Sequence, residues 1–357
     1  MLLSIFASIA TTLVALVVLR RFAPRLGLMA LPGGHSVHEV ATPVVGGLGM
    51  LAGLGTAWLV SDAIQSNIAT ALGATGLVMI GLWDDRHGLG AGSKFTAQAV
   101  IVTLALWFDQ EVLHSLGGLL PGMELRLGIL ALPFTVFAVL GLINALNMID
   151  GLDGLAGKVA LSICAILALG LWMVGATHRL ATALALIGVI SAFLLFNARF
   201  PWRRRALLFM GDTGSMLLGY LVAVAAIKAT QRAPGIPPIT ALWICGLPII
   251  DTLSVMVRRI RQGRPAMTGA QDHLHHLLHA RGLSVGKVGI AEAALALLLG
   301  LIGVAGWRFG IPQWVMFALF LITLFTFHLA CQRAWAGIQT RHTSRVVEIH
   351  PAQAPSS

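Results

Sequence analysis

Charge is scarce in this chain. Of 357 residues, 24 are Lys or Arg and 14 are Asp or Glu, 11% in all, whereas about a quarter is usual for a soluble globular domain. Mean hydropathy is +0.86. A single soluble core is therefore excluded. Cysteine is scarcer still. Cys164, Cys245 and Cys331 stand in separate apolar runs without ligand-like spacing, which argues against a disulfide or zinc framework. No GxxxxGK[ST] loop occurs, so an ATPase has no phosphate cradle here. The glycines of GGLGMLAGLG follow no predicted strand, and a dinucleotide fold fails with them. Soluble domains and a clear internal repeat are missing too. No basic stretch precedes the first apolar run; the arginines follow it, at Arg20 and Arg21. Residues 1–19 therefore read as a retained helix rather than a signal peptide.

What is present is a succession of apolar runs of bilayer-spanning length. They predict an all-α, polytopic transmembrane helix bundle of about eleven spans, near 3–19, 44–60, 68–83, 95–108, 128–147, 158–176, 180–197, 214–228, 238–257, 289–306 and 314–331. An odd number puts the termini on opposite sides. With the N-terminus outside and the C-terminus cytoplasmic, the inward loops and tail hold 19 of the 24 Lys and Arg, and the other side holds Arg126, Arg179, Lys228, Arg232 and Arg308. That asymmetry is the positive-inside pattern. The formal charge of +10 thus sets topology and favours anionic lipid or substrate; no nucleic-acid partner is implied. Residues 1–339 form the expected membrane domain with cytoplasmic working loops. Residues 340–357, polar and ending in Pro-Ser, are expected to be a disordered cytoplasmic tail.

The unusual residues gather on the inner face, in HSVHEVATPVVGG (35–47), WDDRHGLGAGSK (83–94), NALNMIDGLDG (144–154), FMGDTGS (209–215) and DHLHHLLHARG (272–282). The outer face offers Asp62, Asp109, Glu111, His114, Glu124 and His178, without a pattern. Ionisable groups beside a bilayer are costly and point to function by default. Asp84 and Asp85 repel each other unless a cation sits between them. The bland alternative is a solvated helix end, which the macrodipole disfavours for acids at a C-terminus. Asn144, Asn147, Asp150 and Asp153 recur every third residue. On one unbroken helix such steps drift by about 60° each, so the four could not converge. Gly151 and Gly154 predict a break that lets the aspartates fold back from a loop. Hard cations prefer such oxygens; ordinary turn chemistry would explain one or two of them. In FMGDTGS, Asp212, Thr213 or Ser215 could cap the following helix, or the helix start could hold a phosphate. His273, His275, His276 and His279 form pairs at helical spacing, but HExxH is absent, which favours an anion-binding cluster over zinc. Asp251, inside the ninth span, reads as a structural hydrogen bond to a neighbouring helix.

Together and in this order, the motifs resemble the polyprenyl-phosphate N-acetylhexosamine-1-phosphate transferase family, glycosyltransferase family 4. The resemblance runs from about residue 28 to 288 and is most similar to the N-acetylglucosamine-1-phosphate branch. Phospho-N-acetylmuramoyl-pentapeptide transferases share the DD, NxxNxxDGLDG and GDTGS elements, usually with a differently composed histidine loop; they, or another UDP-N-acetylhexosamine-1-phosphate transferase, are the near alternative. The resemblance implies transfer of N-acetylglucosamine-1-phosphate from UDP-N-acetylglucosamine to undecaprenyl phosphate, with release of UMP. It implies Mg²⁺, with Mn²⁺ as a substitute, at the cytoplasmic face of a bacterial inner membrane. It gives Asp84 and Asp85 to the lipid phosphate and the metal, and Asp212 to the metal. Asn147, Asp150 and Asp153 go to nucleotide and catalysis, with Asn144 beside them. Lys94 falls near the substrate phosphates and Asn197 near the nucleotide. His273, His275 and His276 fall to the sugar nucleotide, and His38 with Gly46 and Gly47 to the first loop. Ser36 and Val37 stand where the family often has basic residues. An ion-coupled transporter is a distant alternative; it would want mid-membrane charges and paired repeats.

Overall fold

The computed structural model describes residues 2–31, 40–60, 68–265 and 272–349, with side chains through Ile338. Thirteen α-helices order these residues: α1 (Leu2–Leu26), α2 (Gly46–Val60), α3 (Ile68–His87), α4 (Ala91–Asp109), α5 (Ala131–Ile149), α6 (Leu155–Met173), α7 (Thr177–Asn197), α8 (Gly211–Gln231), α9 (Pro238–Ile244), α10 (Gly246–Arg261), α11 (Leu274–Ala280), α12 (Val285–Arg308) and α13 (Gln313–Ile349). Among the described residues, eight stretches are long and apolar enough to cross a membrane, or nine if the bent pair α9–α10 is one span. The protein is a polytopic helical membrane protein.

Each apolar run expected from the sequence falls on a helix, with two differences. The ninth is not one rod: it breaks at Cys245 and bends by 73° between α9 and α10. The all-α expectation also missed a two-stranded antiparallel pair, β1 (Met29–Ala30) with β2 (Thr42–Pro43). A proline in β2 suits so short an edge. α13 continues to Ile349, into the segment expected as a tail.

Small residues decide how the bundle closes. Without a hydrophobic drive between helices in lipid, close approach of backbones takes its place. On α2, Gly49 lies against Leu16 of α1, and Gly53 lies against Thr12 and the Ser8 carbonyl. α8 is the central helix. A Cβ on Gly81 of α3 would lie 2.4 Å from Thr213 Cα, and one on Gly219 of α8 would lie 2.5 Å from Ile143 Cα of α5. A Cβ on Gly47 of α2 would lie 2.5 Å from Gly214 N. These contacts seat the start of α8 between α2, α3 and α5. The consequence is functional: they bring GDTGS against Asp84–Asp85 and the end of α5.

Candidate active site

The start of α8 is built from another helix. Asp85, at the end of α3, accepts from Asp212 N at 2.8 Å, from Thr213 N at 3.1 Å and from Thr213 Oγ1 at 2.6 Å. These satisfy two of the amides that every helix start leaves without partners. The helix does not cap itself, as one sequence reading allowed; the cap comes from Asp85. Gly211 makes this possible. Its φ is +69°, and a Cβ there would lie 2.5 Å from Asp85 Oδ2 and 2.3 Å from Val44 Cγ1.

Asp212 then faces inward. Lys94 of α4 bridges it at 2.8 Å to Asp84, which Lys94 also meets at 2.8 Å. Asp84 accepts from Leu89 N at 2.6 Å, which ties the α3–α4 turn to the same lysine. Asn147, in the last turn of α5, donates to Asp212 and, at 2.8 Å, to Ser215 Oγ. Five residues from three separate motifs thus share one network.

α5 ends at Ile149 and α6 begins at Leu155, so the break expected at the glycines is present. Gly154 sits at φ +76°, a conformation that only glycine adopts without cost. Its amide donates to Asn197 Oδ1 at 2.8 Å, while Asn197 Nδ2 donates to the Leu208 carbonyl at 2.9 Å. Asn197 therefore shapes the loop that carries the aspartates. Asp153 is held by Arg199 at 2.7 Å and by the Ala206 amide at 3.1 Å.

Asp85, Asn147, Asp150, Asp153, Asn197, Arg199 and Asp212 line one cavity of about 390 Å³, closed on one side by Ala30, Val44 and Phe209. Burial, followed by the charges of Asp212, Asp85 and Asp153, pushes the Asp150 carboxyl up to about 8. Like charges crowd here beyond what Lys94 and Arg199 offset. Among the described residues, no three His, Cys, Asp or Glu side chains converge tightly enough to hold a metal by themselves. That donor set fits a Mg²⁺ ion, which keeps several waters and takes one or two carboxylates plus substrate phosphates. A closed four-ligand zinc site does not fit it.

The histidines stack behind the aspartate loop. The rings of His273 and His275 stack with centroids 5.8 Å apart, and His275 and His276 lie 4.1 Å apart. His275 is fully buried, and neither ring nitrogen has a hydrogen-bond partner among the described residues. Burial and the neighbouring His276 and His273 push it down to about 2; burial first pushes His276 down to about 4. His275 meets the aspartate loop directly: a Cβ on Gly151 would lie 2.6 Å from His275 Nε2.

Of the residues expected from the sequence, Asp84, Asp85, Lys94, Asn147, Asp150, Asp153, Asn197 and Asp212 come together, with the three histidines alongside. Asn144 does not join them. Its amide donates to the Leu140 carbonyl at 2.8 Å and to Gln98 Oε1 at 3.3 Å, toward α4 and away from the cavity. Its place in the three-residue series turned it aside, as the helical drift requires. His38 lies outside the described residues. Sequence reasoning missed Arg199, which had been counted only among the inward cations. The hydrogen bond expected from Asp251 to a neighbouring helix is present, and it goes to the start of α11, to His273 Nδ1 at 2.7 Å and Leu274 N at 3.0 Å.

Known proteins are similar to this chain. The model of glycosyl transferase family 4 matches residues 67–230, from α3 to α8. The undecaprenyl-phosphate alpha-N-acetylglucosaminyl 1-phosphate transferase of Escherichia coli (strain K12) is 34% identical over 319 residues, covering 88% of this chain and 87% of that protein. The proteins of the same name from Yersinia pestis and Haemophilus influenzae are 33% and 31% identical, over 90% and 93% of this chain and 88% and 94% of their own lengths. With identity of 31–34% over about nine-tenths of the chain and the aspartate motifs gathered on one cavity, the chain belongs to glycosyl transferase family 4, the sugar-1-phosphate transferases.

Proposed function

We propose that this protein transfers N-acetylglucosamine-1-phosphate from UDP-N-acetylglucosamine to undecaprenyl phosphate, giving undecaprenyl-diphospho-N-acetylglucosamine and UMP. The product would start a cell-surface polysaccharide. The observation that carries this reading is the junction of Asp212, Lys94 and Asp84 at the rim of a carboxylate-lined cavity. The similarity to transferases of that name supports the choice of substrates.

The reaction brings two anions together, and its barrier is mainly one of charge and position. A bound Mg²⁺ would neutralise the pyrophosphate and the charge that grows on the departing UMP. Asp212 would be its first ligand, with Asp85 or Asp150 assisting. Asn147 orients Asp212 through its amide. Asp85, fixed by three donors, holds the start of α8 still. Lys94 supplies a cation to the phosphates while Asp84 keeps it in place and positions the lipid phosphate. An oxygen of the lipid phosphate attacks the sugar-linked phosphorus, and the bond to the UMP oxygen breaks. Asp153 and Arg199 close the cavity on the nucleotide side.

The motif loops then lie on the cytoplasmic face of a bacterial inner membrane, in a chain that crosses it eleven times with its N-terminus outside. The bent pair α9–α10, the shorter α2 and the more polar-ended α3 would complete that number. Transfer of label from UDP-N-acetylglucosamine to lipid in membranes is the test, run with and without Mg²⁺ and against a panel of UDP-sugars. Preference for UDP-N-acetylmuramoyl-pentapeptide would move the chain to the neighbouring branch. Activity left unchanged by Asp212→Ala would remove the metal assignment.

A further inference from the structure

Asp251 stands on α10, 3% exposed, and does not line the cavity. Both of its oxygens are nevertheless turned to the histidine segment. Oδ2 meets His273 Nδ1 at 2.7 Å, and Oδ1 accepts from Leu274 N at 3.0 Å. With one carboxylate oxygen on the ring nitrogen and the other on the Leu274 amide, the ring plane of His273 is fixed. A carboxylate behind an imidazole sets tautomer and orientation in this way at many sites.

The same helix holds the residue before it. Arg258 donates to the Asp272 carbonyl, and Arg259 Nε donates to Asp272 Oδ2 at 3.2 Å. Positions 251, 258 and 259 are seven and eight residues apart, which places them on one face of α10. That face grips residues 272–274. From His273 the contacts continue inward. Its ring stacks on His275, and His275 abuts Gly151, between Asp150 and Asp153. An unbroken series of contacts thus joins Asp251 to the aspartate loop, and no apolar residue could replace its first member.

Resting on the transferase reading, we propose that Asp251 is a positioning residue for the sugar nucleotide. It acts through His273, holding the histidine segment against the Asp150–Asp153 loop in the register that transfer requires. Asn is the informative replacement. It keeps the shape, but its single oxygen can serve only one of the two donors, and its NH₂ group must face the other.

The full chain, in membranes with undecaprenyl phosphate and UDP-N-acetylglucosamine, is assayed by UMP release, with the melting temperature followed in detergent. Asp251→Asn is expected to lower kcat/KM for the UDP-sugar by ~10-fold or more while KM for the lipid phosphate stays within ~2-fold. Asp251→Glu should recover part of the loss. In a His273→Ala background, Asp251→Asn should cost less than ~2-fold, because residues acting through one another are not additive. An Asp251→Asn enzyme as active as wild type, or losses that multiply in the double variant, would overturn the proposal. Should Asp251→Asn fail to fold, Gly151→Ala presses on His275 from the opposite side; an unchanged KM for the UDP-sugar there would overturn it equally. Wild-type chain that releases no UMP would sink the transferase reading itself, whereas active wild type with an indifferent Asp251 sinks only the positioning role.

Discussion

Buried charge gathers at both ends of this bundle, and the two ends are wired differently. At the end opposite the cavity, Glu111 accepts from Arg232 and lies 3.8 Å from Lys228. Lys228 reaches Thr70 at 3.3 Å, and Thr70 donates to Asp109. Arg179 is spent on the carbonyls of Lys228, Arg232 and Pro234. Acids and bases alternate there and tie helix ends together. At the site, Asp84, Asp85, Asp150, Asp153 and Asp212 share Lys94 and Arg199. The first cluster sets Asp109 and Glu111 against Lys228, Arg232 and Arg179, so no acid is in excess, and it works as a staple. The second has an excess of negative charge opening on a cavity, which no folding need accounts for. An excess of acid, and not burial of charge as such, separates site from scaffold in this chain.

The largest expected effect tests that difference directly. Asp212→Ala should lower sugar-1-phosphate transfer by at least ~100-fold, the usual scale for removing one preorganised electrostatic group. It should leave thermal stability nearly unchanged or raised, because one of several mutually repelling carboxylates is gone. At the opposite end the signs should exchange. Glu111→Ala leaves Lys228 and Arg232 without their shared acid and should cost about 1–3 kcal/mol of stability, read as a lower melting temperature in detergent. Arg232 is half exposed, so water screens part of the loss. Transfer per folded molecule should stay within ~3-fold. If Glu111→Ala abolished transfer in folded protein, the scaffold assignment of that end would fail.

Acid should also act on one end. His275 is pushed down to about 2 by burial and its histidine neighbours, whereas an unfolded histidine titrates near 6.5. Below that value the unfolded segment binds a proton that the folded one refuses. Stability is therefore fully present above pH 6.5 and is lost as pH falls through it. At pH 5 the loss is on the order of 2 kcal/mol for this one ring. Amide exchange in α11 should quicken between pH 7 and pH 5 while residues 228–234 change less. Equal quickening at both ends would place the acid sensitivity elsewhere.

Most of the bundle was legible because helix length and apolar run length are nearly the same signal. What escaped was set by distant partners. The bend at Cys245 did leave a local mark, Pro248, which has no N–H for the Ile244 carbonyl, whereas β1–β2 is too short to leave a periodicity. In the site, carboxylates beside a bilayer announced themselves by cost. Arg199 did not, because a cation on the inner side looks like topology until Asp153 is seen 2.7 Å away. Asp251 was visible as a polar residue in an apolar run, but its partner lies 22 positions along the chain, across a segment that no local pattern predicts. Asp85 was expected near a metal, and its hold on the α8 amides could not be read from spacing.

The finest test lies inside a single motif. Asn144 and Asn147 are one turn apart on α5 and of one residue type, so spacing alone does not say which of them faces the cavity. Asn147 donates to Asp212 and Ser215, whereas Asn144 donates to Gln98 and to its own helix. The first belongs to the cavity and the second to the α4–α5 contact. Asn147→Ala frees the Asp212 carboxylate and should cost transfer ~100-fold, the loss expected when a group that orients a reacting centre is removed. Asn144→Ala should remove one partly buried hydrogen bond, about 1 kcal/mol, and leave kcat/KM within ~3-fold. Gln98, 1% exposed, would lose the donor to its oxygen, so the cost should appear as a lower melting temperature. Steady-state UMP release measured beside melting curves for both variants decides it. Equal catalytic losses would return Asn144 to the site and widen the cavity beyond its present wall, whereas a purely thermal effect would confirm that a three-residue repeat on a helix puts its first member outside.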